Sequence, residues 1–156
     1  MEIIIGCAAG ALATFVMDCL GFLTVKMNWI DLKGLQIVPG LLGRWALLSF
    51  KSGADIRTAE PMDKEKITGL LLHYLIGMFL GGVFAVLPSH SIQTAGFYGV
   101  ATNVFPWLVM YPAMGFGFFA AKLQILKSIL LFSFINHVVY GLSLGITYLF
   151  MRPYVL

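Results

Sequence analysis

Four long stretches almost free of charge set the first constraint on this chain: Ile3–Val25, Ile67–Leu87, Gly96–Ala120 and Ser128–Met151. Each reaches the roughly 20 apolar residues that a helix needs to cross a bilayer. Inside hydrocarbon no water satisfies the backbone, so a spanning segment must bond to itself as a helix or close into a barrel. Unbroken apolarity rather than period-2 alternation selects helices. Charged residues make up 11% of the chain and mean hydropathy is +0.91. Soluble domains average about 25% charged residues. The expected fold is therefore an all-α membrane protein of four transmembrane helices, occupying residues 1–156 as one domain. The first stretch carries Glu2 rather than an early positive charge and contains Asp18. It reads as a retained helix rather than a cleavable signal.

Basic residues fall on one side. Lys26, Lys33, Arg44, Lys51, Arg57, Lys64 and Lys66 occupy the first connection, and Lys122 and Lys127 the third. The second connection has none, and the tail has only Arg152. The positive-inside rule then places connections one and three in the cytoplasm and both termini outside. The same charges point to anionic headgroups as partners, and nothing points to nucleic acid. Cys7 and Cys19 share the first helix without a CxxC spacing, so they read as small packing residues.

The most specific pattern is a repeat. His73-x-x-x-Gly77-x-x-x-Gly81 returns as His137-x-x-x-Gly141-x-x-x-Gly145. Steps of four put a ring and a smooth glycine strip on one helix face. A weaker echo links residues 16–22 with 109–116, with one residue inserted. Together they predict two tandem helical hairpins related by an axis along the membrane normal, a parallel pseudo-repeat whose halves meet at the strips. Between spans one and two, the apolar segment 35–50 is too short to cross, is broken at Pro39-Gly40, and carries Arg44-Trp45. It predicts a short interfacial or re-entrant helix over 40–50, with Trp29 and Trp45 at headgroup level. Residues 51–65 are polar and read as an exposed loop, and residues 88–91 as a tight turn.

Asp18 is the most unusual side chain. An ionisable group near a helix centre costs roughly 2.5–3.5 kcal/mol on insertion scales, so it faces protein or water and has a use. It continues the strip Gly6, Gly10, Thr14, whose small residues allow close helix approach. A packing carboxyl is the competing reading. Counting 1.5 Å per residue from the basic boundary puts His73 about 10 Å deep and Asp18 about 12 Å, with His137 somewhat deeper. Glycines occupy one half of these helices and Asp18, His73 and His137 the other. A bundle pinched at the terminus end and open at the basic end, with a vestibule there, is expected.

The candidate ligand or proton site is Asp18, His73, His137, Arg44, Asn136 and Tyr140, with Arg44 as an anion anchor at the entrance. Gly6, Gly10, Gly77, Gly81, Gly141 and Gly145 are the packing glycines. Pro106 and Pro112 each remove a backbone donor and should kink the third span. Asn103, Tyr111, Asn136 and Tyr140 are available to satisfy the freed backbone. A metal would require Asp18, His73 and His137 to converge as a two-histidine, one-carboxylate set. Haem between the histidines is disfavoured, because a glycine one turn from each should draw those helices together. No particular cofactor is implied.

Gly10 to Asp18, Gly40-Leu41-Leu42-Gly43-Arg44-Trp45, His73-Tyr74-x-x-Gly77, Pro112-Ala113-Met114-Gly115-x-Gly117 and His137-x-x-x-Gly141 follow one another in an ordered series. In this series the chain resembles a family of small bacterial membrane proteins classified only as a domain of unknown function. The resemblance implies a four-helix inner-membrane protein and assigns no catalytic residue. Three roles compete: a small transporter or ligand- and ion-handling protein, a homodimer in the simplest form; a non-catalytic assembly or stress-related partner; and a metal-dependent membrane enzyme or redox protein. A proton-linked layer of Asp18 and the two histidines favours the first, since histidine titrates near neutral pH.

Overall fold

The computed structural model describes residues 1–32, 40–51 and 53–152. Lys33 and Pro39, both used in reading the first connection, lie outside the described residues. Among the described residues the chain is helical, with no strand. Three helices are long and apolar enough to cross a membrane: α1 (Glu2–Lys26), α3 (Glu65–Ala85) and α6 (Leu126–Met151). Between them lie the short α2 (Leu42–Leu47), α4 (Ile92–Thr102) and α5 (Tyr111–Ala113).

Local chemistry explains the boundaries. Glu2 in the first turn of α1 and Lys26 in its last both complement the helix dipole. The chain leaves α1 through Asn28 at φ 54°, a left-handed conformation that asparagine tolerates better than most residues. Ser91 caps α4 by accepting the Thr94 N–H at 3.1 Å. Pro106 has no N–H to continue the α pattern, and the backbone widens into a π-type segment, Pro106–Met110. Its wide turn closes with the Tyr111 N–H donating to the Pro106 carbonyl. α5 then ends at Ala113, and Gly115 and Gly117 turn the chain at φ 84° and 77°. The third apolar stretch therefore runs Ile92–Ala113 rather than 96–120, because residues 114–120 fold back at two positions that only glycine adopts easily.

α1 packs on α3 and on α6, α4 packs on α6, and α2 lies against α3. The glycine strips face their neighbours in the pairs α1/α3 and α4/α6, not each other. A Cβ on Gly81 would clash with the Gly6 carbonyl and stand 2.8 Å from Gly10 Cα. A Cβ on Gly141 would meet the Ala95 carbonyl and stand 2.7 Å from Gly99 Cα. The two crossings thus share one backbone geometry. Their register differs from the sequence motif by a turn: Gly81 stands where Gly141 does, so His137 stands where Gly77 does. The expectation that the strips join the two halves is corrected. With it goes the argument against haem, which needed the strips to draw α3 and α6 together.

Two apolar clusters fill the interior. One joins α1, α3, α4 and α6 around Ala9, Ala13, Phe84, Leu144 and Tyr148. At its far end the Tyr148 hydroxyl donates to Glu2, and Arg152 Nε reaches the same carboxylate at 2.9 Å. The other cluster, at the basic end, unites Leu42, Trp45, Ile56, Met114, Phe116 and Leu123. It overturns the open vestibule. Residues 53–59 are not a free loop: Gly53 N donates to the Ala113 carbonyl, Ile56 N donates to the Met114 carbonyl at 3.0 Å, and Ile56 is buried. Large apolar side chains such as Leu12, Phe15, Phe22, Leu71, Phe79 and Phe150 on the long helices, and Phe97 on α4, are exposed on the outer surface. In water such a surface would associate, whereas lipid is its natural solvent.

Candidate functional site

A cavity of about 90 Å³ lies where α1, α3, α6 and the broken α4–α5 region meet. Thr14 and Met17 contribute from α1; His73, Ile76, Gly77 and Leu80 from α3; His137 and Tyr140 from α6. Phe105, Pro106 and Met110 form the facing wall and Leu42 reaches it from α2. The glycine crossings hold the helices together on the terminus side, and the π-type segment widens the fourth wall below them. A space of this size takes several waters, each needing roughly 10–15 Å³, or a small organic group.

The structure brings together some of the residues singled out in the sequence and separates others. His73 Nδ1 stands 3.2 Å from Asp18 Oδ1. The distance is that of an ion pair, but the angles fall short of a hydrogen bond, leaving His73 Nδ1 and Asp18 Oδ2 without a hydrogen-bond partner. His73 then links Asp18 on one side with the cavity on the other.

His137 reaches the same cavity by a different route. Its Nδ1 lies 2.8 Å from Thr102 Oγ1, and that hydroxyl lies 2.6 Å from the Gly99 carbonyl. Two oxygens at 2.6 Å need a proton between them, and threonine has one hydroxyl proton to give. Thr102 therefore donates to Gly99, and His137 Nδ1–H donates to Thr102. This fixes the Nδ1–H tautomer of a neutral ring and leaves Nε2 as an acceptor. Tyr140 donates its hydroxyl proton to the Gly77 carbonyl at 2.7 Å, and Thr14 donates to the Gly10 carbonyl at 2.9 Å.

Other readings are corrected by geometry. Arg44 does not guard an entrance. It is buried, bonded through Nε and Nη2 to both Glu65 oxygens, and donates to the Ala59 carbonyl at 2.9 Å. The Glu65 carboxylate holds the guanidinium above its ordinary pKa, against a smaller opposing effect of burial. Asn136 donates to the Phe132 carbonyl and faces Gly21 of α1, away from the cavity. The metal triad does not assemble: among the described residues no three His, Cys, Asp or Glu side chains converge. The backbone freed by Pro106 is not rescued by the residues expected. Asn103 donates to the Val100 carbonyl and accepts from Ser133, while Trp107 Nε1 donates to Ser133 at 3.2 Å. Trp45, expected among headgroups, is buried and donates to the Lys51 carbonyl at 3.0 Å, whereas Trp29 is exposed.

Sequence reading missed Thr102, Phe105 and Met110. Thr102 has a signal in hindsight, three residues beyond a glycine in a strip, but its partner depends on how α4 packs on α6. Phe105 looked like any other apolar residue beside a proline.

The model of a family described as a protein of unknown function, DUF2938, matches residues 3–151. No curated protein and no solved structure matches the chain. The match covers nearly the whole sequence, and the chain belongs to the DUF2938 family.

Proposed function

We propose that this DUF2938 member is an integral membrane protein that handles a small ligand in its inter-helical cavity, with Asp18 and His73 as a proton-exchanging pair beside it. In this reading α1, α3, the composite Ile92–Ala113 element and α6 are four spans arranged as two tandem hairpins. Ile92–Ala113 at 1.5 Å per residue covers roughly 33 Å, enough for a hydrocarbon core of about 30 Å. The matched glycine crossings of α1/α3 and α4/α6 support the parallel repeat. The basic end, with Lys51, Lys64, Lys66, Lys122 and Lys127, would face the cytoplasm and its anionic headgroups.

The observation that carries the proposal is the cavity with His73 and His137 in its wall. Two polar rings in the wall of a cavity inside an otherwise apolar bundle are costly unless they have a use. The assembly-partner role would be met by packing alone and does not account for the space. The test is saturable binding of small aromatic probes to the protein in lipid nanodiscs. Ile76→Phe, which fills the cavity from its rim, should abolish binding while leaving thermal unfolding within a few degrees of wild type. Absence of saturable binding to the wild-type protein would overturn the proposal.

A further inference from the structure

Three polar groups on the cavity wall have their protons committed within the protein. His137 gives its Nδ1 proton to Thr102, and His73 turns Nδ1 toward the Asp18 carboxylate. Among the described residues no hydrogen bond within the protein engages Nε2 of either ring. With Nδ1 carrying the proton on His137, the Nε2 of that ring is left as an acceptor. The other polar groups on the wall, Thr14 and Tyr140, have committed their protons to the Gly10 and Gly77 carbonyls. They too can only accept. The rest of the lining is Met17, Leu42, Ile76, Leu80, Phe105, Pro106 and Met110.

The route in is equally informative. At the terminus end the Tyr98 hydroxyl donates to the Leu80 carbonyl at 2.7 Å and closes α4 onto α3. At the basic end Leu42 and the apolar cluster beneath it seal the bundle. Between these seals stands Phe105, which lines the cavity and is 45% exposed on the outer surface. Its neighbour Val104 is exposed as well. The cavity therefore reaches the apolar, lipid-facing side of the molecule at Phe105.

Resting on the ligand-binding reading above, we infer that the ligand is an uncharged, bilayer-dissolved amphiphile with a hydroxyl head, a phenol or alcohol, that enters laterally past Phe105. Acceptors at His137, Thr14 and Tyr140 select a head that donates, and the apolar remainder of the lining favours an uncharged ligand. About 90 Å³ accommodates the head group, while an apolar body remains among the lipid chains outside Phe105.

The test compares 4-propylphenol with 4-propylanisole, its methyl ether, on the full-length protein in nanodiscs. The pair shares shape and apolarity and differs in one O–H. One net hydrogen bond near 1 kcal/mol corresponds to about five- to tenfold in affinity. The phenol should bind tighter by that factor and shift the ¹⁵N resonance of the His137 Nε2 atom. Phe105→Ala should raise the association rate and leave the phenol preference unchanged. Saturable binding of both probes with no preference would overturn the hydroxyl-head inference and leave the ligand cavity standing. An association rate indifferent to Phe105→Ala would overturn lateral entry. Failure of both probes to bind would overturn the cavity reading as well.

Discussion

The Tyr140 hydroxyl lies 2.7 Å from the carbonyl oxygen of Gly77, a direct bond from α6 to α3 across the cavity wall. α3 and α6 each pack mainly on α1, so this bond adds a direct tie between two helices that also meet at the Phe84–Tyr148 ring pair near the termini. Tyr140→Phe removes it without altering the shape of the wall. The Gly77 carbonyl keeps its place in the α3 ladder, so the loss should be that of one net hydrogen bond, about 0.5–1.5 kcal/mol. Reversible unfolding in mixed micelles measures it, and a loss well above 3 kcal/mol would show that Tyr140 organises more than this contact.

Glycines in the two crossings should behave unlike glycines elsewhere. Gly81→Ala and Gly141→Ala each drive a methyl into the backbone of the facing helix, which cannot step aside as a side chain can. Overpacking of this kind costs typically 1–3 kcal/mol. Gly96 is the control, since a Cβ there meets only Leu142 Cδ2 at 3.4 Å. Gly96→Ala should be neutral or stabilising by about 0.5–1 kcal/mol through helix propensity. Thermal unfolding of the three variants decides it; similar losses in all three would refute the crossing geometry.

Arg44 should prove structural. Its guanidinium joins Glu65 at the start of α3 to the carbonyl of Ala59, so it pins the returning loop onto the helix. Arg44→Lys retains charge and loses the two-pronged contact, which a single ammonium cannot reproduce. Arg44→Ala leaves the half-buried Glu65 carboxylate with the Met62 N–H alone, so it should destabilise more than Arg44→Lys. Limited proteolysis within residues 53–64 should accelerate in both variants, more in the second, with ligand binding in the cavity preserved. Loss of binding with an intact loop would return Arg44 to the site.

The same loop should loosen in acid. Hydrogen bonds from the Arg57 side chain hold the Asp55 carboxyl below its ordinary 3.8, with burial opposing. A carboxyl depressed in the folded state stabilises it above the ordinary value, and that contribution is lost as pH falls through the depressed one. The protection factor of the Ile56 amide, which donates to Met114, should therefore decline below about pH 4. Asp55→Asn should remove the dependence; an unchanged pH profile in that variant would assign it to another group.

Hydropathy alone located α1, α3 and α6 to within a few residues, since each must cover a fixed thickness without help from neighbours. It misjudged the third stretch because residues 114–120 are as apolar as those before them, and only Gly115 and Gly117 mark the turn. The depth count placed Asp18 and His73 at one level, and they meet. It could not say that His137 would turn to Thr102, because a four-residue step names a helix face and not the helix opposite. Arg44 misled for a related reason: an arginine in an apolar segment looks unpaired until the start of α3 brings Glu65 to it.

The one-turn slip between the motif copies and the crossings has a further consequence. Where the α1/α3 pair presents Asp18 against His73, the corresponding level of the α4/α6 pair presents Trp107, Ser133 and Asn103, a neutral triad already bonded to itself. The ionisable dyad exists once, and its counterpart half supplies the neutral imidazole one turn away. Two copies of either hairpin, paired with themselves, would give two dyads or none. The difference between a half that carries the Asp18–His73 contact and a half that lacks one therefore has to be written into a single polypeptide, and splitting the gene between α3 and α4 should give fragments that restore the cavity only when both are present.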